Sequence, residues 1–219
     1  MGEWRLFRME SPKIYFIFLF SVLFLGFIVS AQVVQTQVIE LTEKVRDYFI
    51  EATKGNLVGQ EGLNQFGINV DVGTVEEDIQ SQGGKLIFLQ SAEFISIISS
   101  DTTNDILSGA NATSILIVGL DENFTEISEI VNLSATSTNT TNQYIRINRM
   151  SVNEVGNYSV SNAGIITGTA QPSGTVQIEI PIGQALSKTT HYTVPAGKNL
   201  IVTAFRVTVD TGKVIDISF

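Results

Sequence analysis

Residues 114–133, SILIVGLDENFTEISEIVNL, hold two runs of β type separated by a cluster of breakers. Ser114–Val118 is a short β-branched run, Thr125–Leu133 alternates apolar with polar positions, and Gly, Asp and Asn stand between them. Similar runs lie on both sides: Lys85–Gln90, Glu93–Ile98, Gln143–Val152, Gly164–Ala170, Thr175–Ile180, Thr189–Val194, Leu200–Val209 and Lys213–Phe219. About eight to ten short strands punctuated by turn residues imply a mainly β fold. The expected arrangement is an antiparallel β-sandwich, jelly-roll-like, with an immunoglobulin-like sandwich as the alternative.

Turn chemistry supports this reading. Val194-Pro195-Ala196-Gly197-Lys198 offers Pro and Gly for a type II turn, which needs a fixed φ and then a positive one. Asp210-Thr211-Gly212 suits a hairpin between Leu200–Val209 and Lys213–Phe219. In a continuous strand Gln143–Val152, Ile145, Ile147 and Arg149 would share one face and Tyr144, Arg146 and Asn148 the other.

The N-terminal part is of another kind. Ile14–Ala31, IYFIFLFSVLFLGFIVSA, has 18 positions without a charge. As a helix it would span about 27 Å, close to the hydrocarbon thickness of a bilayer. Arg5, Arg8 and Lys13 precede it, whereas the first charges after it are Glu40 and Glu43. That asymmetry keeps the short tail 1–13 on the cytoplasmic side, or inside a particle that captures a membrane, and translocates the rest. The alternative is a cleaved signal peptide, for which Val29-Ser30-Ala31 offers small residues, although the apolar run exceeds the usual h-region.

Gln32–Lys54 lacks Gly and Pro, and Val34, Val38, Leu41, Val45, Tyr48 and Phe49 recur at helical spacing. An amphipathic stalk helix continuous with the span is expected, stopped by Gly55-Asn56. Its stripe would lie against the chain's own head or against neighbouring copies. Residues 55–84 read as a Gly-punctuated linker and 85–219 as the β domain.

The chain of 219 residues carries a net charge of −9 and no Cys. An acidic balance argues against nucleic-acid binding, and the absence of Cys removes disulfides, thiolate metal sites and thiol catalysis. His191 is the sole histidine, so a His-rich metal site or a His pair is impossible and any Ser-His-Asp triad would have to use it; its TTHYTVPAG context reads as a strand residue before a turn. Asp101, Asp105, Asp121 and Glu122 lack the spacing of an EF-hand and read as solvated loop carboxylates. No phosphate loop, dinucleotide fingerprint or nucleophile elbow occurs. The expectation is therefore a non-enzyme without cofactor or metal. Five N-x-S/T sequons, at Asn111, Asn123, Asn132, Asn139 and Asn157, would accept N-glycans if the domain entered a glycosylating lumen.

GLDENFTEISEIVNLSATSTNTTNQYIRINRMSV from Gly119, followed by NAGIITGTA and HYTVPAGKNLIVTAFRV, resembles a β-structured virion-protein segment of marine tailed phages and of large DNA viruses of algae and other protists. The resemblance covers Ser99–Val209 and implies a non-enzymatic particle component. With the anchor, the expected role is a minor capsid protein linking an internal membrane to the shell. Its partners would be the lipid bilayer, the major capsid protein or other shell proteins, and copies of itself. The alternative is a cell-surface protein, either a pilin-like filament subunit or a glycosylated adhesin; Pro12-Lys13 does not match a pilin leader. A membrane-tethered hydrolase lacks any convergent acid, base and nucleophile.

Overall fold

The computed structural model describes residues 48–210. The expected tail 1–13, the apolar run Ile14–Ala31, most of the stalk and the expected strand Lys213–Phe219 lie outside them. The chain divides into two units, one ending at Leu63 and one beginning at Asn64.

In the first unit, helix α1 (Tyr48–Thr53) closes on a glycine. Gly55 takes φ 73°, its N–H donates to Ala52 O, and Asn56 N–H donates to Glu51 O. This pair of bonds satisfies the last carbonyls of the helix, and the positive φ is one that Gly adopts without steric cost.

The second unit is mainly β, with seven strands among the described residues: β1 (Glu93–Ser99), β2 (Ala112–Leu120), β3 (Glu126–Asn132), β4 (Thr138–Tyr144), β5 (Arg146–Val155), β6 (Ile166–Gln171) and β7 (Val176–Ile180). They form two antiparallel sheets, β4-β1-β6-β7 and β3-β2-β5. The β2–β3 hairpin is closed by Asp121, whose Oδ1 accepts the N–H groups of Asn123 and Thr125 at 2.9 and 2.8 Å. Alternation then decides the faces. Ile95 and Ile97 of β1, Ile166 and Ala170 of β6, and Ile178 and Ile180 of β7 meet Ile115 and Ile117 of β2, Val131 of β3, and Ile147 and Met150 of β5 in one core. Each such aliphatic side chain, fully withdrawn from water, contributes about 1.5–3 kcal/mol before the entropy of ordering is set against it.

Several strand expectations need correction. Gln143–Val152 is not one strand: β4 ends at Tyr144, Ile145 leaves the ladder to donate its N–H to Leu120 O, and β5 starts at Arg146. Nor does β5 alternate simply. Val118 faces Arg149 and Gly119 faces Ile147, so Asn148 is an extra, bulged residue. The bulge lets Ile147 and Met150 both point into the core, which strict alternation forbids, while Arg149 stays exposed. Thr138–Tyr144, which precedes and overlaps the expected strand, is β4, at the edge of its sheet among the described residues, where β-branched Thr fits the pleat. Among the described residues Lys85–Gln90, Thr189–Val194 and Leu200–Val209 lie outside the strands, with isolated bridges of Gln80 with Thr189 and Ser151 with Leu186. In the Pro195–Lys198 turn, Lys198 N–H donates to Pro195 O and Gly197 takes φ 73°, so Pro occupies the first turn position rather than the second.

Candidate assembly surface

Two polar knots fix the ends of the sandwich. At one, Asp105 is fully buried, contrary to its reading as a solvated carboxylate. Its oxygens accept from Ser99 Oγ at 2.6 Å and from the N–H groups of Ala112, Ala163 and Gly164 at 3.1, 2.9 and 2.8 Å. One carboxylate thus ties the end of β1, the start of β2 and the approach to β6, and its four donors compensate for burial. Gly164 is obligatory there, since a Cβ would stand 2.3 Å from Asp101 N. Neighbouring Asp101 accepts from Thr103 N, Asn104 N and Asn104 Nδ2, and the Asn104 side chain, first among these, holds its carboxyl below the usual range. Asp121 closes its own hairpin. These carboxylates staple backbone and do not converge, and among the described residues no cluster of three metal-ligating side chains occurs.

At the other end, residues 189–198 cross the rim of the three-stranded sheet. Asn148 Nδ2 donates to Thr193 O and Thr193 N–H donates to Asn148 Oδ1; Gln65 Nε2 donates to both Asn148 O and His191 O. The strap then reaches Phe124, whose carbonyl accepts Ala196 N–H at 2.7 Å. Arg146 lies 4.6 Å from the Phe88 ring centre and 5.8 Å from that of Phe124 and donates to Leu89 O and Ile145 O. His191 stands edge-on to Phe88, its Nε2 3.3 Å from Asp78 Oδ2, at ion-pair distance but out of line for a hydrogen bond. No nucleophile completes a triad around it among these contacts; His191 belongs to the strap.

The sandwich's flanks differ. The β5 and β7 side is covered: Val152 N–H donates to Ala185 O, Ser187 N–H to Met150 O, and Gln177 Nε2 to Ile87 O. A groove of about 480 Å³ remains beside β7, lined by Gln80, Gln82, Lys85, Thr175 and Glu179 among others. Lys85 is held there by Glu76 at 2.7 Å, and burial raises the Glu179 carboxyl above its ordinary range. The β3 and β4 side is open. Among the described residues β3 pairs only with β2 and β4 only with β1. Across the gap Glu129 accepts Thr141 N–H and Asn142 N–H at 2.7 and 2.8 Å. Behind it sits Tyr144, fully buried; burial, then the nearby Glu129 charge, pushes its phenol well up.

The most unusual surface lies on two extended segments. In residues 65–72, Gln65, Gly67 and Asn69 face inward, while Phe66, Ile68, Val70 and Val72 face water at 60, 45, 81 and 55% exposure. Gln65 and Asn69 spend their amides on the head, Asn69 on Glu77 and Asp78 O, so the polar side is held in and the apolar side out. The second segment is Leu200–Val209, where Leu200, Ile201 and Val202 are 48, 70 and 71% exposed. Exposed apolar rows of this kind make the two segments the candidate assembly surface among the described residues. Within the Gly-punctuated stretch 55–84, the period-two pattern F-x-I-x-V-x-V is the sequence signal of this row.

Of the sequons, Asn123, Asn132, Asn139 and Asn157 are exposed. Asn111 donates its side-chain amide to Ser161 O, and its sequon partner Thr113 is buried. Comparison with family models, characterised proteins and solved structures gives no match to this chain.

Proposed function

We propose that this chain is a structural subunit of a multi-copy, membrane-bearing assembly, best fitted by a minor capsid component joining a virion's internal membrane to its shell. The observation that carries the reading is the outward apolar row Phe66, Ile68, Val70 and Val72, held in place by inward polar residues. A free monomer leaves that row in water; an assembly buries it. The apolar run Ile14–Ala31 supplies the anchor, and a lipid anchor raises the local concentration of heads so that weak contacts add up. A complete jelly-roll-like head would place four strands in each sheet, and the β3 edge is where the three-stranded sheet has room for another.

The reading is tested by fractionating purified particles. The protein should be found in them, intact from Met1, and should leave with the lipid on detergent extraction; absence from particles overturns the virion role. Exposure of Asn123, Asn132, Asn139 and Asn157 favours the second reading, a glycosylated cell-surface protein. Glycans at these asparagines, with Asn111 bare, would select it.

A further inference from the structure

Resting on the assembly reading, we infer that the loop tip at the Asp105 end of the head docks, through an uncharged face, on a different protein: the shell layer overlying the membrane. Three loops make the tip, residues 100–111 between β1 and β2, 156–165 between β5 and β6, and 181–185 after β7. They are bonded to one another. Gly156 N–H and Asn157 N–H donate to Asn111 O and Ala110 O, both at 2.8 Å. Asn162 Nδ2 donates to Pro181 O at 2.8 Å, and its Oδ1 accepts Ala185 N–H at 3.1 Å. Ser159 holds φ 70°, a backbone conformation that costs an L residue energy.

On these braced loops Tyr158 is 98% exposed, and Leu107, Val160 and Ile182 also stand in water. Residues 106–111, 156–165 and 181–187 carry no charge, in a chain of net charge −9. Asp101 and Asp105, at the base, spend their carboxylates on loop donors. An exposed aromatic ring among Ser, Asn and Gly on rigid loops suits a protein surface, since the ring supplies area and the small polar residues adaptable hydrogen bonds. Without Lys or Arg these loops hold nothing for the phosphates of a nucleic acid or an anionic lipid.

Position selects a different protein over a second copy. The head begins at Asn64, and Gln65 is fixed to Asn148 and His191 at the strap, the end away from Asp105. A bilayer that holds the chain by Ile14–Ala31 pulls from that end. Copies held by one bilayer then turn their tips the same way and meet along their sides, which leaves the tips to whatever covers the membrane.

The test places photoreactive benzoyl-phenylalanine at Tyr158, at Ile182 or, on the apolar row, at Ile68 of the full-length protein in particles. Irradiation should join positions 158 and 182 to the major shell protein, and position 68 to copies of the chain. Adding Ile182→Asp to the chain labelled at position 158 should cut the shell adduct roughly tenfold, because a charge enters an uncharged contact. Its melting temperature should not move, as expected at an exposed position. Tip adducts to a second copy overturn the different protein as occupant, and a glycan on Asn157, beside Tyr158, overturns the docking. A tip that yields no protein adduct, or adducts to lipid alone, also overturns it; the assembly reading still stands if position 68 joins copies. Absence of the chain from particles overturns both.

Discussion

Asn148 imitates a strand partner for Thr193: bulged out of β5, it donates from Nδ2 to Thr193 O at 2.9 Å and accepts Thr193 N–H at Oδ1, 2.8 Å away. A side chain does here what a backbone does in a ladder, and the buried bulge has a positional reason. Asn148→Ala should cost about 1–3 kcal/mol, since it leaves both Thr193 groups without these partners. Hydrogen exchange at the Thr193 amide, accelerated far more than at core amides of β2, is the check.

Asp105→Ala removes one acceptor from four donors at once. Unpaired and buried, Ser99 Oγ and the N–H groups of Ala112, Ala163 and Gly164 should lower stability by about 3 kcal/mol or more. Asp105→Asn keeps the shape with fewer acceptor sites and should fall between. Urea midpoints of the three chains would rank them.

Core and interface separate by a pair of truncations. Ile117→Ala, at a fully buried position, should cost about 2–5 kcal/mol by loss of contact and a residual cavity. Val202→Ala, 71% exposed, should change stability by no more than about 0.5 kcal/mol and instead weaken association. Chemical denaturation in dilute detergent reads the first effect and concentration-dependent sedimentation the second.

Glu179 has a folded-state carboxyl raised above its ordinary value of 4.5 by burial. Below pH 4.5 the acid is neutral folded or unfolded, and its contribution is fully present; as pH rises through the folded value, stability is lost because the folded state must ionise a half-buried group. Glu179→Gln does not ionise. It should therefore melt higher than the native chain at pH 7, with the difference vanishing below pH 4.5. Melting curves across that range provide the measurement.

Where period-two alternation coincided with burial on one face, as in Glu93–Ser99 and Ile166–Gln171, the strands could be read directly from the residues. Reading failed where another constraint governed. Asn148 shifts the phase of β5, and nothing local distinguishes an inserted residue from a continued strand. Thr189–Val194 has strand composition but is held by side chains, chiefly Asn148 and Gln65, so propensity named the extended backbone and not its partners. Asp105 looked like any loop carboxylate because its donors come from Ser99, Ala112, Ala163 and Gly164, two of them almost sixty residues away. Phe66, Ile68, Val70 and Val72 were hidden by the Gly and Asn between them, although their spacing was plain. The apolar face of that segment turns outward, and alternation alone does not say which face is buried.

The most direct measurement is the mass of the full-length chain by sedimentation equilibrium in mild detergent, with Phe66→Ser/Ile68→Ser/Val70→Ser alongside. The expected result is a multiple of the 23.9 kDa chain for the native protein. The substituted protein should approach a single chain's mass with its β circular dichroism unchanged. A native protein that sediments as one chain at every concentration would contradict the assembly of these heads.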